Sequence, residues 1–208
     1  MLTQYKPVCI LFFGALSCFP GLKAQDGFSL KIETPLFQEV QTLGVSWSVG
    51  DYAIYHIFKE KDQKEKIGQH KIEITGIKEI GGTRFFQITT TMLEGDQRTD
   101  LTFSVSDASK SFNLAKAKDL KVKTPFGSFS LKYADVRPEE MLIQEGSEVL
   151  IHGDREIEVT RYSVHYSDQK PDSTIWVNPS MGPYGLVKGQ IYVEDRFFYY
   201  VLAEHHSN

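Results

Sequence analysis

Cysteine is nearly absent from the chain: Cys9 and Cys18 are the two in its 208 residues. Long apolar runs are equally scarce, and the one from Val8 to Phe19 is too short to span a bilayer. Lys6 precedes that run, and a Leu-Lys-Ala sequence ending at Ala24 follows it. This order predicts a secretory signal peptide over residues 1–24. The remaining domain would then contain no thiol and could form no disulfide bond.

A second processing route stays open inside the signal. The segment Ala15-Leu16-Ser17-Cys18 resembles a bacterial lipobox, although Ala15 stands where leucine is usual. Acylation of Cys18 would anchor the protein to a membrane, whereas cleavage before Gln25 would release it. Either route predicts an exported protein of the periplasm or outer envelope.

An excess of positive charge is also missing. The chain has 23 Lys and Arg against 27 Asp and Glu, for a formal net charge of −4. This balance excludes a general nucleic-acid binder. Hydrophobic residues make up 41% and aromatic residues 12%, which excludes a disordered chain. We therefore expect one folded domain over residues 25–208.

Helical periodicity is scarce, and alternating apolar residues take its place. Tyr52–Phe58 is typical of the short β-type runs that recur along the chain. Gly81-Gly82 predicts a tight hairpin turn, and residues 194–196 predict another near the end. Pro138 and the acidic residues after it predict one short helix over 138–142. The expected fold is all-β with minor α: a curved antiparallel sheet that forms an open or incomplete β-barrel.

Motifs of catalysis and metal binding are lacking. The chain has no G-x-S-x-G and no HExxH sequence, and we expect no enzyme activity, no metal and no cofactor. Glu156 and Glu158 could serve a glycoside hydrolase only if they shared a dry pocket, and their alternation predicts a solvated strand face instead. A hydrolase of envelope glycans is therefore the third-ranked hypothesis.

One lysine cluster allows two interpretations. Lys116, Lys118, Lys121 and Lys123 are interrupted by a single acid, Asp119. Lysines of this kind protect edge strands from aggregation, which is the interpretation we favour. The alternative is contact with anionic lipid headgroups or with a phosphorylated glycan.

Two strings carry a resemblance to a known family. The first runs from Trp176 to Lys188 (WVNPSMGPYGLVK), and the second from Trp47 to Tyr55 (WSVGDYAIY). Both resemble secreted bacterial β proteins related to the lipoprotein carriers of the Gram-negative envelope (Lol-type). That resemblance implies a curved antiparallel sheet closed incompletely over a hydrophobic cavity. It implies no catalytic residue.

The leading hypothesis is non-enzymatic binding of a lipid or another hydrophobic small molecule within the open barrel. Burial of each methylene group would contribute about 0.8 kcal/mol. The alternative is a structural or interaction module with a filled core, which binds another envelope protein. The candidate cavity-lining residues, which would serve equally well as core, are Phe86, Ile88, Phe103, Phe129, Leu131, Trp176 and Ile191.

Overall fold

The structure is a computed structural model that describes residues 8–11, 29–32, 46–107, 117–125, 127–131, 140–166, 171–193 and 196–208. Within these ranges every helix or strand is a β-strand. The thirteen strands are β1 (Val8–Leu11), β2 (Ser29–Ile32), β3 (Tyr52–Phe58), β4 (Lys66–Ile80), β5 (Thr83–Glu94), β6 (Gln97–Ser106), β7 (Lys118–Thr124), β8 (Gly127–Leu131), β9 (Glu140–His152), β10 (Arg155–Tyr166), β11 (Ser173–Val177), β12 (Leu186–Val193) and β13 (Arg196–His206).

Eleven of these strands form one antiparallel sheet. Their spatial order is β8-β7-β6-β5-β4-β3-β13-β12-β11-β10-β9, while β1 and β2 form a separate parallel pair. No hydrogen-bonded pairing joins β8 to β9 in the described part of the chain, so the sheet stays open. The prediction of an all-β fold built on an open antiparallel sheet is confirmed.

The sheet consists of two meanders that meet at one seam. Strands β3 to β8 pair consecutively, and so do β9 to β13. The seam is the antiparallel pairing of β3 with β13, in which Ile57 lies opposite Tyr200. The first and last strands of the large sheet therefore lie at its centre.

The core lies along one face of this sheet. Period-two alternation places every second side chain on that face, as in β3, where Ala53, Tyr55 and Ile57 are buried and their neighbours are half-buried. The same buried cluster continues across both meanders. Its larger members include Trp47, Ile72, Ile74, Phe86, Ile88, Phe103, Leu120, Val164, Ile175, Tyr184, Ile191, Phe198 and Tyr200.

Both predicted hairpins are present. Gly81 and Gly82 connect β4 to β5 with φ angles of 57° and 73°, a combination that glycine adopts without a steric penalty. Strands β12 and β13 pair from Val193 and Arg196 onward, as expected for a turn near 194–196.

The helix predicted over 138–142 is wrong for the residues that can be tested. Residues 140–142 belong to β9, and Pro138 and Glu139 lie outside the described residues. Met141 pairs with His165, and Leu142 pairs with Val164 on the core face. Pairing with β10 and burial of one apolar side chain outweigh the weak local preference for a helix.

The edge-strand interpretation of the lysine cluster is also wrong. Strand β7, which carries Lys118, Lys121 and Lys123, pairs with β6 on one side and β8 on the other. Lys116 lies outside the described residues. The lysines of β7 therefore point to solvent from a strand that is not at the edge of the sheet, and edge protection does not explain them. Among the residues that the structure describes, no helix is long and apolar enough to cross a membrane.

Candidate ligand-binding site

Four of the predicted lining residues share one cluster. Phe86, Ile88, Phe103 and Ile191 are all buried on the core face. Ile88 lies directly opposite Phe103, so these two side chains pack across β5 and β6. That they contact a ligand stays a prediction.

The remaining three residues lie elsewhere. Phe129 and Leu131 pair in register with Val122 and Leu120, but their side chains are outside what the structure describes. Trp176 does not join the core cluster, because it alternates with the buried Ile175 and Val177 and so points to the opposite face.

Trp176 belongs to a small outer cluster instead. Its ring packs against the cluster of Ile157, Val159 and Val187. The Lys188 Nζ lies 5.1 Å from the ring centroid, and the indole N–H donates to the Glu148 carboxylate. The ring is thus fixed by contacts on three sides without lining the sheet interior.

An apolar groove opens at one end of the sheet. It lies where β3 and β5 end and where β4 and β13 begin, and its volume is about 150 Å³. Its apolar lining comes from Ile57, Ile67, Met92, Leu93 and Phe198. Ile57 and Phe198 also belong to the core cluster, so the floor of the groove is the outermost layer of the core.

The rim of this groove is charged. Lys59, Arg196 and Glu94 line it, two cations against one anion. Arg196 is held over the Phe198 ring, with its guanidinium carbon 4.7 Å from the centroid. The Glu94 Oε2 is buried without a hydrogen-bond partner in the described part of the structure. An apolar floor with a cationic rim suits a ligand that has an apolar tail and a negative end.

Beneath the groove lies a layer of buried polar aromatic rings. On β3, Tyr55 is the next core-facing residue further from the groove than Ile57. On β13, Tyr200 lies beyond Phe198 in the same way. Tyr55 and His70 form a cross-strand pair. The three ring centroids of Tyr55, His70 and Tyr200 lie 6.4 to 6.5 Å apart.

This layer carries polar atoms that the described residues do not satisfy. The Tyr55 hydroxyl and the His70 Nδ1 are buried, and neither has a hydrogen-bond partner there. Such atoms are uncommon in native proteins, because each one loses its contacts with water and gains nothing in return. Each is a place where a water molecule or a polar group of a ligand would complete the bonding.

Burial also fixes the protonation of these groups. It lowers the pKa of the His70 imidazole to about 3 and raises the pKa of the Tyr55 phenol. The pKa of Tyr184 is raised as well, first by burial and second by the charge of Tyr55. The layer is therefore electrically neutral near pH 7.

His70 is not among the residues predicted for the site. A signal for it exists in the sequence, because His70 lies two residues before Ile72 and four before Ile74 and so shares their face. The groove residues Lys59 and Arg196 carry no such signal. They meet only because β13 pairs with β3.

The acidic residues considered for hydrolysis are placed in solvent. Glu156 and Glu158 are both exposed on β10, as their alternation predicts. In the described ranges, no three His, Cys, Asp or Glu side chains lie close enough together to hold a metal ion.

Comparisons with known proteins give two solved structures of low identity. One is a Bacteroides fragilis protein assigned as exported, with a YmcC-like fold: 9% identity, TM-score 0.43, covering 78% of this chain and 98% of that one. The other is a Parabacteroides distasonis protein assigned as a lipoprotein: 8% identity, TM-score 0.42, covering 82% of this chain and 99% of that one. No protein-family model matches the chain, and no curated protein matches it. The Lol-type resemblance therefore stays a prediction.

Proposed function

We propose that the protein is an exported, non-enzymatic binding protein of the cell envelope that takes up one end of an acyl chain in the groove between β3, β4, β5 and β13. The observation that carries this proposal is the continuity of the groove floor with the core at Ile57 and Phe198. A chain end inserted there leaves water for an environment that is already apolar.

The size of the groove limits its affinity. A cavity of about 150 Å³ holds a group about the size of benzene, which is enough for the end of a chain and not for a whole lipid. Four or five buried methylene groups contribute about 3–4 kcal/mol, which corresponds to a Kd of about 1–6 mM before the entropic cost of association. Ion pairing of a carboxylate with Lys59 or Arg196 strengthens this modestly at an exposed rim.

Octanoate is the probe that tests the proposal. We expect saturable binding to the mature protein in an NMR titration, with shifts at Ile67 and Met92. Ile67→Trp fills the groove and is expected to abolish binding. Ile77→Trp is the matched control, because Ile77 lies on the same strand, is 40% exposed and does not line the groove. If the wild-type protein binds no octanoate at concentrations up to about 20 mM, the proposal is ruled out.

The envelope location has its own test. Protein recovered from the envelope fraction is expected to begin at Gln25, or at an acylated Cys18 if the lipobox is used. A cytoplasmic chain that retains Met1 would exclude the location without affecting the groove.

A second candidate function rests on β9, an outermost strand of the described sheet. Met141, Ile143, Val149 and Ile151 of β9 are all exposed, Ile151 by 69%. Unpaired edge strands with apolar side chains serve as docking strands for other proteins. An interaction module of the envelope is therefore the alternative, and Ile143→Lys would weaken partner capture while leaving octanoate binding intact.

A further inference from the structure

A second groove lies on the solvent-facing side of the sheet, and it is polar. Its volume is about 390 Å³, and it crosses β4 to β8. Seven of its eight lining residues carry hydroxyl, amide or charged side chains. The lining residues are Lys78, Gln87, Thr102, Ser104, Asp119, Leu120, Lys121 and Ser130.

Three hydrogen-bond donors form a row across this groove. Thr102 of β6 lies opposite Lys121 of β7, and Lys121 lies opposite Ser130 of β8. Adjacent strands are about 4.8 Å apart, so these three side chains leave neighbouring strands side by side on the same face of the sheet. The Lys121 side chain makes no ion pair within the described residues.

The carboxylate of Asp119 holds the neighbouring Lys78 in place. Asp119 has φ of 56° where the β6–β7 register shifts, and such a conformation is uncommon outside glycine. Its carboxylate accepts a hydrogen bond from Lys78 Nζ. That bond, followed by the charges of Lys78, Lys121 and Lys118, holds the pKa of Asp119 below its usual value. Among the described lining residues, the groove therefore has two cations, Lys78 and Lys121, and one anion, Asp119, whose hydrogen bond goes to Lys78.

We propose that this groove binds a phosphate group, held by Lys121 between the hydroxyls of Thr102 and Ser130. A phosphate presents oxygen atoms in several directions and accepts from charged and neutral donors together. The groove has the volume of a small-molecule site, so the phosphate group can be part of a larger soluble molecule or of a lipid headgroup. This site is independent of the acyl groove, which lies at the ends of the strands.

The chain supplies a matched control for the test. Lys123 points to the same side of β7, two residues from Lys121, but it lies opposite Asp100 and does not line the groove. Inorganic phosphate is titrated into the mature protein and followed by NMR at fixed ionic strength. Lys121→Ala is expected to weaken binding at least 10-fold, and Lys123→Ala less than 2-fold. Thr102→Val, which keeps the shape of the side chain, is expected to weaken binding about 3-fold.

Unchanged thermal unfolding of the variants establishes that they are folded, so that each binding result tests the proposal. Equal losses for Lys121→Ala and Lys123→Ala would show general surface charge and overturn it, as would unsaturable binding by the wild type. Glucose 6-phosphate and vesicles containing phosphatidic acid distinguish the source. Tighter binding of either than of inorganic phosphate supports the site and names its source. If unphosphorylated glucose bound as tightly as glucose 6-phosphate, the proposal would be overturned.

Discussion

Tyr55 and His70 face each other across β3 and β4 with ring centroids 6.4 Å apart, yet no hydrogen bond joins their polar atoms. Both side chains are at least 98% buried. A core of this kind is held together by apolar contacts around two polar atoms that oppose folding. Its response to pH and to mutation follows from that arrangement.

Acid is expected to destabilise the protein through His70. Its pKa is about 3 in the folded state and near 6.5 when unfolded, so between these values the unfolded chain binds a proton that the folded chain does not. The contribution of neutral His70 to stability is therefore fully present above about pH 6.5. Between about pH 6.5 and pH 3 the free energy of unfolding falls by about 1.4 kcal/mol for each pH unit. Urea unfolding at several pH values from 7 to 4 measures this slope.

The variant His70→Phe isolates that effect. Its free energy of unfolding is expected to depend much less on pH, because the unfolded chain no longer gains a proton at position 70. Wild-type protein unfolded under the same conditions is the control. An unchanged slope in His70→Phe would contradict the assignment.

Removing the Tyr55 hydroxyl is expected to cost nothing. Tyr55→Phe deletes a hydroxyl that has no hydrogen-bond partner among the described residues and leaves the ring, so the free energy of unfolding stays the same or rises by about 1 kcal/mol. Trp47→Phe provides the contrast, because the Trp47 indole donates to the Pro183 carbonyl at 2.9 Å. That variant is expected to lose about 1–3 kcal/mol. A loss in Tyr55→Phe would reveal a bound water or ligand at the hydroxyl.

Trp176 and Phe103 are expected to differ in their contribution to stability. Phe103 is fully buried, and Phe103→Ala should cost about 3–5 kcal/mol. Trp176 is half-buried on the other face, so Trp176→Ala should cost only about 1–2 kcal/mol. Chemical denaturation of the two variants in parallel measures both values. A loss at Trp176 as large as that at Phe103 would mean that the outer cluster is as important as the core.

Gly182 is expected to tolerate alanine less well than Gly81 does. Both have positive φ angles, 73° and 57°, so the backbone penalty is similar. A Cβ on Gly182 would lie 3.0 Å from the Ala53 Cβ and from the Tyr52 carbonyl oxygen, whereas a Cβ on Gly81 would meet nothing within 4 Å. Gly182→Ala should therefore lower the melting temperature further than Gly81→Ala. Equal shifts would show that the loop moves freely away from β3.

The alternation of side chains predicts the strands and their faces wherever the register is regular. β3 has the bounds that the sequence predicts, and the Gly81-Gly82 turn is where its residues require it. The side of Trp176 was harder to predict, because a run of alternating residues does not say which of its two faces is the core. A register shift between Trp176 and Val177 then interrupts the alternation of β12, so that Leu186 joins the core cluster while Lys188, two residues further on, lies over the Trp176 ring on the other face.

The grooves were beyond prediction for a different reason. Lys59 and Arg196 are 137 residues apart in the sequence, and the seam between β3 and β13 brings them together. The row formed by Thr102, Lys121 and Ser130 likewise depends on the registers of two strand pairs. Composition shows that such residues exist but not which of them become neighbours.

The seam at the centre of the sheet also sets the order of folding. Every other strand pair in the large sheet joins consecutive strands and can form from a local hairpin, whereas β3 must wait for β13. Closing that long loop is entropically costly, and contacts of high sequence separation slow folding. The two meanders are thus expected to form early, each with an open edge, β3 or β13, that the seam later closes. Their union at the seam is then expected to limit the rate of folding.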